Sequence, residues 1–333
     1  MNVSAAIIGL HSKPFITSLL SEIEGDPGNP AYAVDLTAIF DNDESKLLSG
    51  QKEYGIKKLY TDPNDLLLTE KPDFIIISLP LDEILAVIQF SIEAGIRGII
   101  LENPFAATLE TAQKIVDLCR LNRINLIIHY PRRWDNLYRD VKAIIDGNHL
   151  GSLKMISAIL QTNALRTGDP VEIIDQFGGG ELLYSGSELV DLIRYFSGEV
   201  SAINSTLQKR VPNAGTETGS HSLLHMHSGI INSVSTDSVS QYTVFELDIQ
   251  LQRGRIIVGK DTKQIYVIEP VPSENGGFEL VPGQFSDFIQ MNRETDGAVS
   301  EMLRTLDNSN LPESSGINAL KNMEIAFGIY YSA

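Results

Sequence analysis

The sequence predicts an α/β chain in two parts: a doubly wound parallel sheet, followed by an α/β domain built on a large, mostly antiparallel open sheet. Three observations carry this. Short apolar runs alternate with helix-period segments over residues 1–130, while β-rich segments separated by turn residues dominate from residue 154 onward. The first pattern is that of βαβ units and the second that of strands joined by hairpins. A chain of 333 residues also exceeds what one hydrophobic core usually supports.

The elements follow in order. Residues 5–9 read as the first strand and 15–23 as a helix; 36–40 is the second strand, and 44–54 a helix stopped by Gly55. A short helical piece at 65–69 precedes 74–78, an uninterrupted β-rich run suited to a strand covered on both faces. Pro80 then precedes a helix at 84–94, with strands at 98–101 and 125–129 and a helix at 109–122 between them. This is a Rossmann pattern, whose ligands lie at the carboxyl ends of the strands. The domains are expected at 1–130 and 131–333. In the second, a helix at 136–146, a strand at 154–161 and a helix at 181–196 precede strands at 200–209, 220–235, 242–252, 255–259 and 264–268. Helices at 284–292 and 316–332 close the chain, and the polar stretches 212–219 and 271–277 are surface loops.

Composition narrows the partners. With 43 acidic and 26 basic side chains the formal charge is -17, a field that repels phosphate backbones and anionic lipid, so neither nucleic acid nor membrane is expected. The opening ten residues lack the basic start of a signal peptide, and the apolar stretch 74–90 is interrupted by Asp82 and Glu83, so the expected location is cytoplasmic. The single cysteine, Cys119, reads as a small buried apolar residue.

A dinucleotide site needs glycines where the backbone turns tightly and approaches a pyrophosphate. Here the turn reads Gly9-Leu10-His11-Ser12-Lys13-Pro14. Only the first glycine of G-x-G-x-x-G is present, although Pro14 suits a first helical turn whose dipole attracts anions. Two readings stand: a nucleotide held with His11 or Lys13 at its phosphates, or a structural turn without one. Asp41, ending the second strand, suits ribose hydroxyls and repels a 2′-phosphate, which favours NAD over NADP; Asp41, Asp43 and Glu44 also read as the start of the next helix. Gly9, His11, Ser12, Asp41, Ser78, Pro80, Glu102 and Pro104 form the candidate cofactor set.

Other candidates lie further on. His129 ends the fifth strand and is a candidate base; Arg132, Arg133 and Trp134 follow, the arginines suited to an anionic group or to surface ion pairs. His225 and His227 are two apart on an expected strand, with His221 nearby, and no zinc-type spacing accompanies them, so no metal is expected and a substrate contact is the alternative.

Lys71-Pro72-Asp73, Glu93-Ala94-Gly95, Glu102-Asn103-Pro104, Arg133-Trp134, Asp146-Gly147, Leu150-Gly151, Gly178-Gly179-Gly180, Arg253-Gly254-Arg255 and the closing Ser315-Gly316 through Tyr331-Ser332-Ala333 occur in one order and spacing. Together they resemble the Gfo/Idh/MocA oxidoreductases, whose members pair a Rossmann domain with an open-sheet domain and oxidise or reduce sugars and cyclitols with NAD(P). The resemblance implies a polyhydroxylated substrate and a homodimer or homotetramer. It also implies a lysine before the proline, and an aspartate and a histidine four residues apart after the glycine run. This chain has Asn103, Tyr184 and Glu188 there. If 181–196 is helical, Tyr184 and Glu188 share a face. They are then a replacement pair, with Glu188 as base, or an ordinary helix surface. The departures at His11, Pro14, Asn103 and Glu188 equally fit a member that kept the scaffold as a ligand-binding or regulatory protein, or that performs lyase or isomerase chemistry.

Overall fold

The computed structural model describes residues 2–24, 33–163, 180–211, 216–271, 277–289, 297–307 and 311–333. The chain forms two compact units, Met1–Pro131 with Thr295–Lys321, and Arg132–Glu294 with Asn322–Ala333.

In the first unit, β1 (Asn2–Ile8), β2 (Ala33–Phe40), β3 (Lys58–Tyr60), β4 (Phe74–Ile77), β5 (Gly98–Glu102) and β6 (Asn125–His129) make one parallel sheet in the order β3-β2-β1-β4-β5-β6. Its order reverses between β1 and β4, and Ile8 pairs with both Phe40 and Ile77, so three carboxyl ends finish level beside the reversal. Such a switch point is where open α/β sheets bind ligands. Every residue of β4 is buried, as its unbroken apolar run requires. Helices α1 (Lys13–Glu24), α2 (Glu44–Tyr54), α3 (Pro63–Glu70), α4 (Leu81–Ala94) and α5 (Leu109–Leu121) connect the strands.

A sixth helix of this unit, α8 (Ala298–Asp307), comes from far along the chain and packs on α1, β5 and β6. Glu22 of α1 accepts the Val299 N–H at 2.9 Å, filling one of the donors that a helix start leaves open. Gly98 makes the fit possible, because a Cβ there would lie 2.3 Å from Met302 Sδ. Neither α8 nor the three-residue edge strand β3 was expected from the sequence.

In the second unit, β7 (Leu153–Gln161), β8 (Val200–Gln208), β9 (Gly219–Met226), β10 (Ile231–Asp237), β11 (Val244–Leu251), β12 (Gly254–Gly259), β13 (Lys263–Pro270) and β14 (Phe278–Pro282) form an eight-stranded sheet, ordered β14-β13-β12-β11-β7-β10-β9-β8. β7 and β10 run parallel and the other neighbours antiparallel. Helices α6 (Asn136–Asp146) and α7 (Gly186–Ser197) cover one face. Phe245, Leu247, Ile249 and Leu251 alternate into that core along β11. The opposite face carries Ser157, Ile159, Leu223, Ile231 and Ser233, with Ile159, Leu223 and Ile231 exposed. The last helix, α9 (Gly316–Ser332), gives its residues to Lys321 to the first unit and the remainder to the second.

The fold class expected from the sequence is the one found. Three boundaries differ. The run 220–235 divides into β9 and β10 around a turn in which Gly229 has φ +84°; its polar centre gave no sign of the reversal beyond that glycine. The helix expected from 181 starts at Gly186, because residues 181–185 form a turn closed by the Gly186 N–H to the Glu181 carbonyl at 2.8 Å. The helix expected over 284–292 is a short 3-10 turn, Phe285–Asp287, with residues 290–292 outside the described residues, as are Gly178 and Gly179, 212–215 and 272–276.

Candidate functional site

The carboxyl edge of the first unit's sheet is built on the turn after β1. Gly9 has φ +86°, and a Cβ on it would lie 2.3 Å from the Ser78 carbonyl oxygen; glycine is required on both counts. Its N–H donates to the Phe40 carbonyl at 2.8 Å. The next three amides are held by the protein: Leu10 donates to Asp41 Oδ2 at 2.8 Å, His11 to the Ser78 carbonyl at 3.0 Å and Ser12 to Ser78 Oγ at 2.8 Å. Ser12 Oγ donates to Glu102 Oε1 at 2.6 Å. The turn is therefore tied to β2, β4 and β5 at once.

Asp41 is 3% exposed and its other oxygen accepts the Asp43 N–H at 2.9 Å. Asp43, rather than Asp41, is the N-cap of α2, accepting from Ser45 and Lys46 N–H. Lys13, exposed at the start of α1, is ion-paired with Glu53 at 2.8 Å, and the His11 side chain is exposed. A dinucleotide fits this edge at α1 rather than on the turn's own amides. Beyond Gly9, the groups at this edge are the Lys13 ammonium paired with Glu53, the exposed His11 side chain, the start of α1 and the Asp41 carboxylate that the Leu10 and Asp43 amides hold.

Beside the turn, Pro80 stands at the N-cap position of α4 without a side-chain bond, and the Asn103–Pro104 peptide is cis. Tyr130 donates its hydroxyl to Asn103 Oδ1 at 2.9 Å, which orients the amide. Burial raises the Glu102 carboxyl above its ordinary range, against the lowering effect of the Ser12 hydroxyl. His129 is 9% exposed, with its ring edge-on to Phe15 at 5.2 Å between centroids. Burial pushes its imidazole down to about 4, so it is neutral at pH 7 and a weak base.

In the second unit, Arg132 is ion-paired with Glu188 and its guanidinium lies 3.5 Å from the centre of the Phe245 ring. Tyr184 lies in the turn before α7, so it and Glu188 are not one helical turn apart; Ser187 Oγ donates to its carbonyl at 2.6 Å. Arg133 is not a substrate clamp. It donates from Nε and Nη2 to Asp191 at 2.7 and 2.8 Å, both side chains are buried, and Asn322 donates to Asp191 Oδ1 at 2.7 Å. A buried guanidinium without such a carboxylate would carry a large desolvation cost. Trp134, 4% exposed, belongs to the packed interior. His225 lies on the face away from α6 and α7, bonded to Asn204 Oδ1 at 2.8 Å, and His227 opens the turn after β9, so the two do not share a strand face. Among the described residues no group of three His, Cys, Asp or Glu can hold a metal, and no helix is long and apolar enough to cross a membrane.

Sequence reasoning missed three contacts here: Arg132 with Glu188, Ser12 with Glu102, and a buried acid pair. Burial and the nearby Glu217 carboxylate raise Glu181 above its ordinary range, and Glu217 Oε1 accepts the Leu182 N–H at 3.1 Å. Both acids flank segments without periodicity, and nothing in the letters marks them as buried.

Residues 4–130 match the NAD-binding Rossmann fold of the oxidoreductase family, and residues 138–257 match the Gfo/Idh/MocA C-terminal domain. The chain belongs to the Gfo/Idh/MocA family. Among its relatives, a D-apiose dehydrogenase of Paraburkholderia graminis is 29% identical over 114 residues, 34% of this chain and 30% of that protein. An inositol 2-dehydrogenase of Saccharopolyspora erythraea is 23% identical over 185 residues, 53% of this chain and 52% of that one. The chain spans about a third to a little over half the length of the curated relatives it matches. Levoglucosan dehydrogenase in complex with NADH and levoglucosan has the same fold, with a TM-score of 0.82 at 15% identity, covering 100% of this chain and 97% of that one.

Proposed function

We propose that this protein is an NAD-dependent oxidoreductase acting on a sugar-like or cyclitol-like alcohol. The observation that carries the reading is the left-handed Gly9 turn crossing Ser78 at the switch point, with Asp41 closing β2 beside it. That carboxylate opposes a 2′-phosphate, which favours NAD over NADP. Gly9 and Asp41 would hold the dinucleotide there, and its nicotinamide would supply a hydride acceptor for oxidation of the substrate carbinol. The chain's own groups do the rest. Asn103, oriented by Tyr130, donates a hydrogen bond to the substrate oxygen without supplying a proton. Glu188 accepts the hydroxyl proton, and transfer requires its ion pair with Arg132 to part as substrate enters. His129, held neutral by burial, is the alternative acceptor.

A cytoplasmic location goes with this reading, since the cytoplasm holds a nicotinamide pool. A homodimer or homotetramer goes with it too, supported by the open sheet face bearing Ile159, Leu223 and Ile231. A second reading, a ligand-binding member without hydride transfer, is favoured by the three amides after Gly9 that the protein itself occupies.

The test is reduction of NAD by a panel of aldoses, anhydrosugars and cyclitols, followed at the nicotinamide absorbance band. Turnover with any of them supports the first reading. Sugar binding by calorimetry without nicotinamide reduction supports the second.

A further inference from the structure

A cavity of the first unit lies at the end of its sheet opposite the candidate cofactor edge. It has a volume of about 590 Å³ and is bounded by the end of α5, the start of β6, the end of α8 and the start of α9. Asn125 and Leu126 line it, whereas His129 closes the same strand at the other edge, roughly 13 Å away at about 3.3 Å per residue. A nucleotide at the Gly9 turn does not reach it.

Its walls are of two kinds. Val116, Leu126, Leu306, Ile317 and Cys119 are among its apolar lining residues. Burial raises that thiol to about 12, so it contributes surface rather than a thiolate. Arg97, Arg120 and Arg123 are its basic lining residues, with Asp307 as the carboxylate in the lining. Arg97 is held by Asp73 at 2.5 Å, and Arg120 meets Asp117 at 3.3 Å, with both of the latter side chains largely in solvent. An exposed pair of that kind is worth little and exchanges readily for another anion. Asp73 and Asp117 compensate two of the three guanidiniums, which leaves Arg123 as the cation at the cavity with no ion pair among the described residues. The volume falls in the range of small-molecule sites.

We propose that this cavity is a second ligand site that takes a small amphipathic anion, its carboxylate among Arg97, Arg120 and Arg123 and its hydrocarbon against Val116, Leu126 and Ile317. Guanidiniums recognise carboxylates by paired hydrogen bonds, and the apolar wall excludes water from the rest of the ligand.

Calorimetry on the full chain with sodium octanoate, and with octan-1-ol as its uncharged counterpart, tests this. The expected result is one-site binding of octanoate, about tenfold tighter than octanol, as one charge-assisted contact implies. Arg123→Gln should weaken octanoate by a similar factor. Ile317→Asp, which sets a carboxylate at the mouth, should abolish binding, and both variants should keep the wild-type melting temperature because their side chains are solvent-facing. NADH should not displace octanoate. Equal binding of octanol and octanoate, an unchanged constant in Arg123→Gln, displacement by NADH, or no binding heat at millimolar octanoate would each overturn the proposal and leave Arg120 and Arg123 as partners of the α5 C-terminus and Arg97 as the partner of Asp73.

Discussion

Asp41 Oδ2 accepts the Leu10 N–H at 2.8 Å, so the carboxylate that ends β2 also sets the path of the turn after β1. With Oδ1 on the Asp43 N–H, one side chain supports both strands of the candidate cofactor edge. Asp41→Asn keeps one acceptor and turns an NH2 toward a backbone donor. It should cost about 1–3 kcal/mol of stability in urea unfolding, the usual cost of a buried polar group left unmatched. Removing the negative charge should also narrow the preference for NADH over NADPH in binding measurements.

The buried pair of Arg133 and Asp191 is structural, and its removal should appear in stability before activity. Asp191→Ala leaves a buried guanidinium without its carboxylate, with the Tyr195 ring 4.6 Å from it. Loss of about 3–5 kcal/mol is expected, read as a fall in melting temperature. A variant that melts with wild type would show that solvent reaches Arg133.

His129 gives the fold a pH dependence of determined sign. Its imidazole titrates near 4 when folded and at 6.5 when unfolded, so between those values the unfolded chain binds the extra proton. The contribution is complete above 6.5 and is lost as pH falls toward 4, amounting to about 3 kcal/mol at 1.36 kcal/mol per unit. Urea unfolding of wild type and His129→Gln across this window should show the steeper fall in wild type. Glu102 and Glu181 act oppositely, since carboxyls raised by burial lose stability as pH increases; both are common to the two proteins compared.

Glu188→Gln removes the proposed proton acceptor while keeping its size. Turnover should fall by about a hundredfold or more, the usual contribution of a general base, with little change in KM. A matching fall in His129→Gln with Glu188→Gln at full activity would move the role to the imidazole.

Much of the fold is legible in the letters because it rests on periodicity. β4 announces itself as Phe74-Ile75-Ile76-Ile77, and Asp43 and Gly55 mark the two ends of α2 as a cap and a left-handed stop. What escaped depends on distant partners. α8 is held by Glu22 and by the space above Gly98, neither near it in sequence. The site divides in the same way. Gly9 and Asp41 were legible from their places at strand ends, but that Arg132 meets Glu188, or that Arg133 is spent on Asp191, follows only from side chains brought together across 56 and 58 positions. Tyr184 was misplaced because a turn of five residues, closed by Glu181 and Gly186, carries no pattern that separates it from a helix start.

The central claim is that the turn after β1 still admits a nicotinamide dinucleotide, although its next three amides are engaged. Titration of the purified protein with NADH, followed by nicotinamide fluorescence, tests it most directly. Saturable binding that is tighter than that of NADPH and lost in Gly9→Val is the predicted result. No binding at millimolar NADH would contradict the redox account.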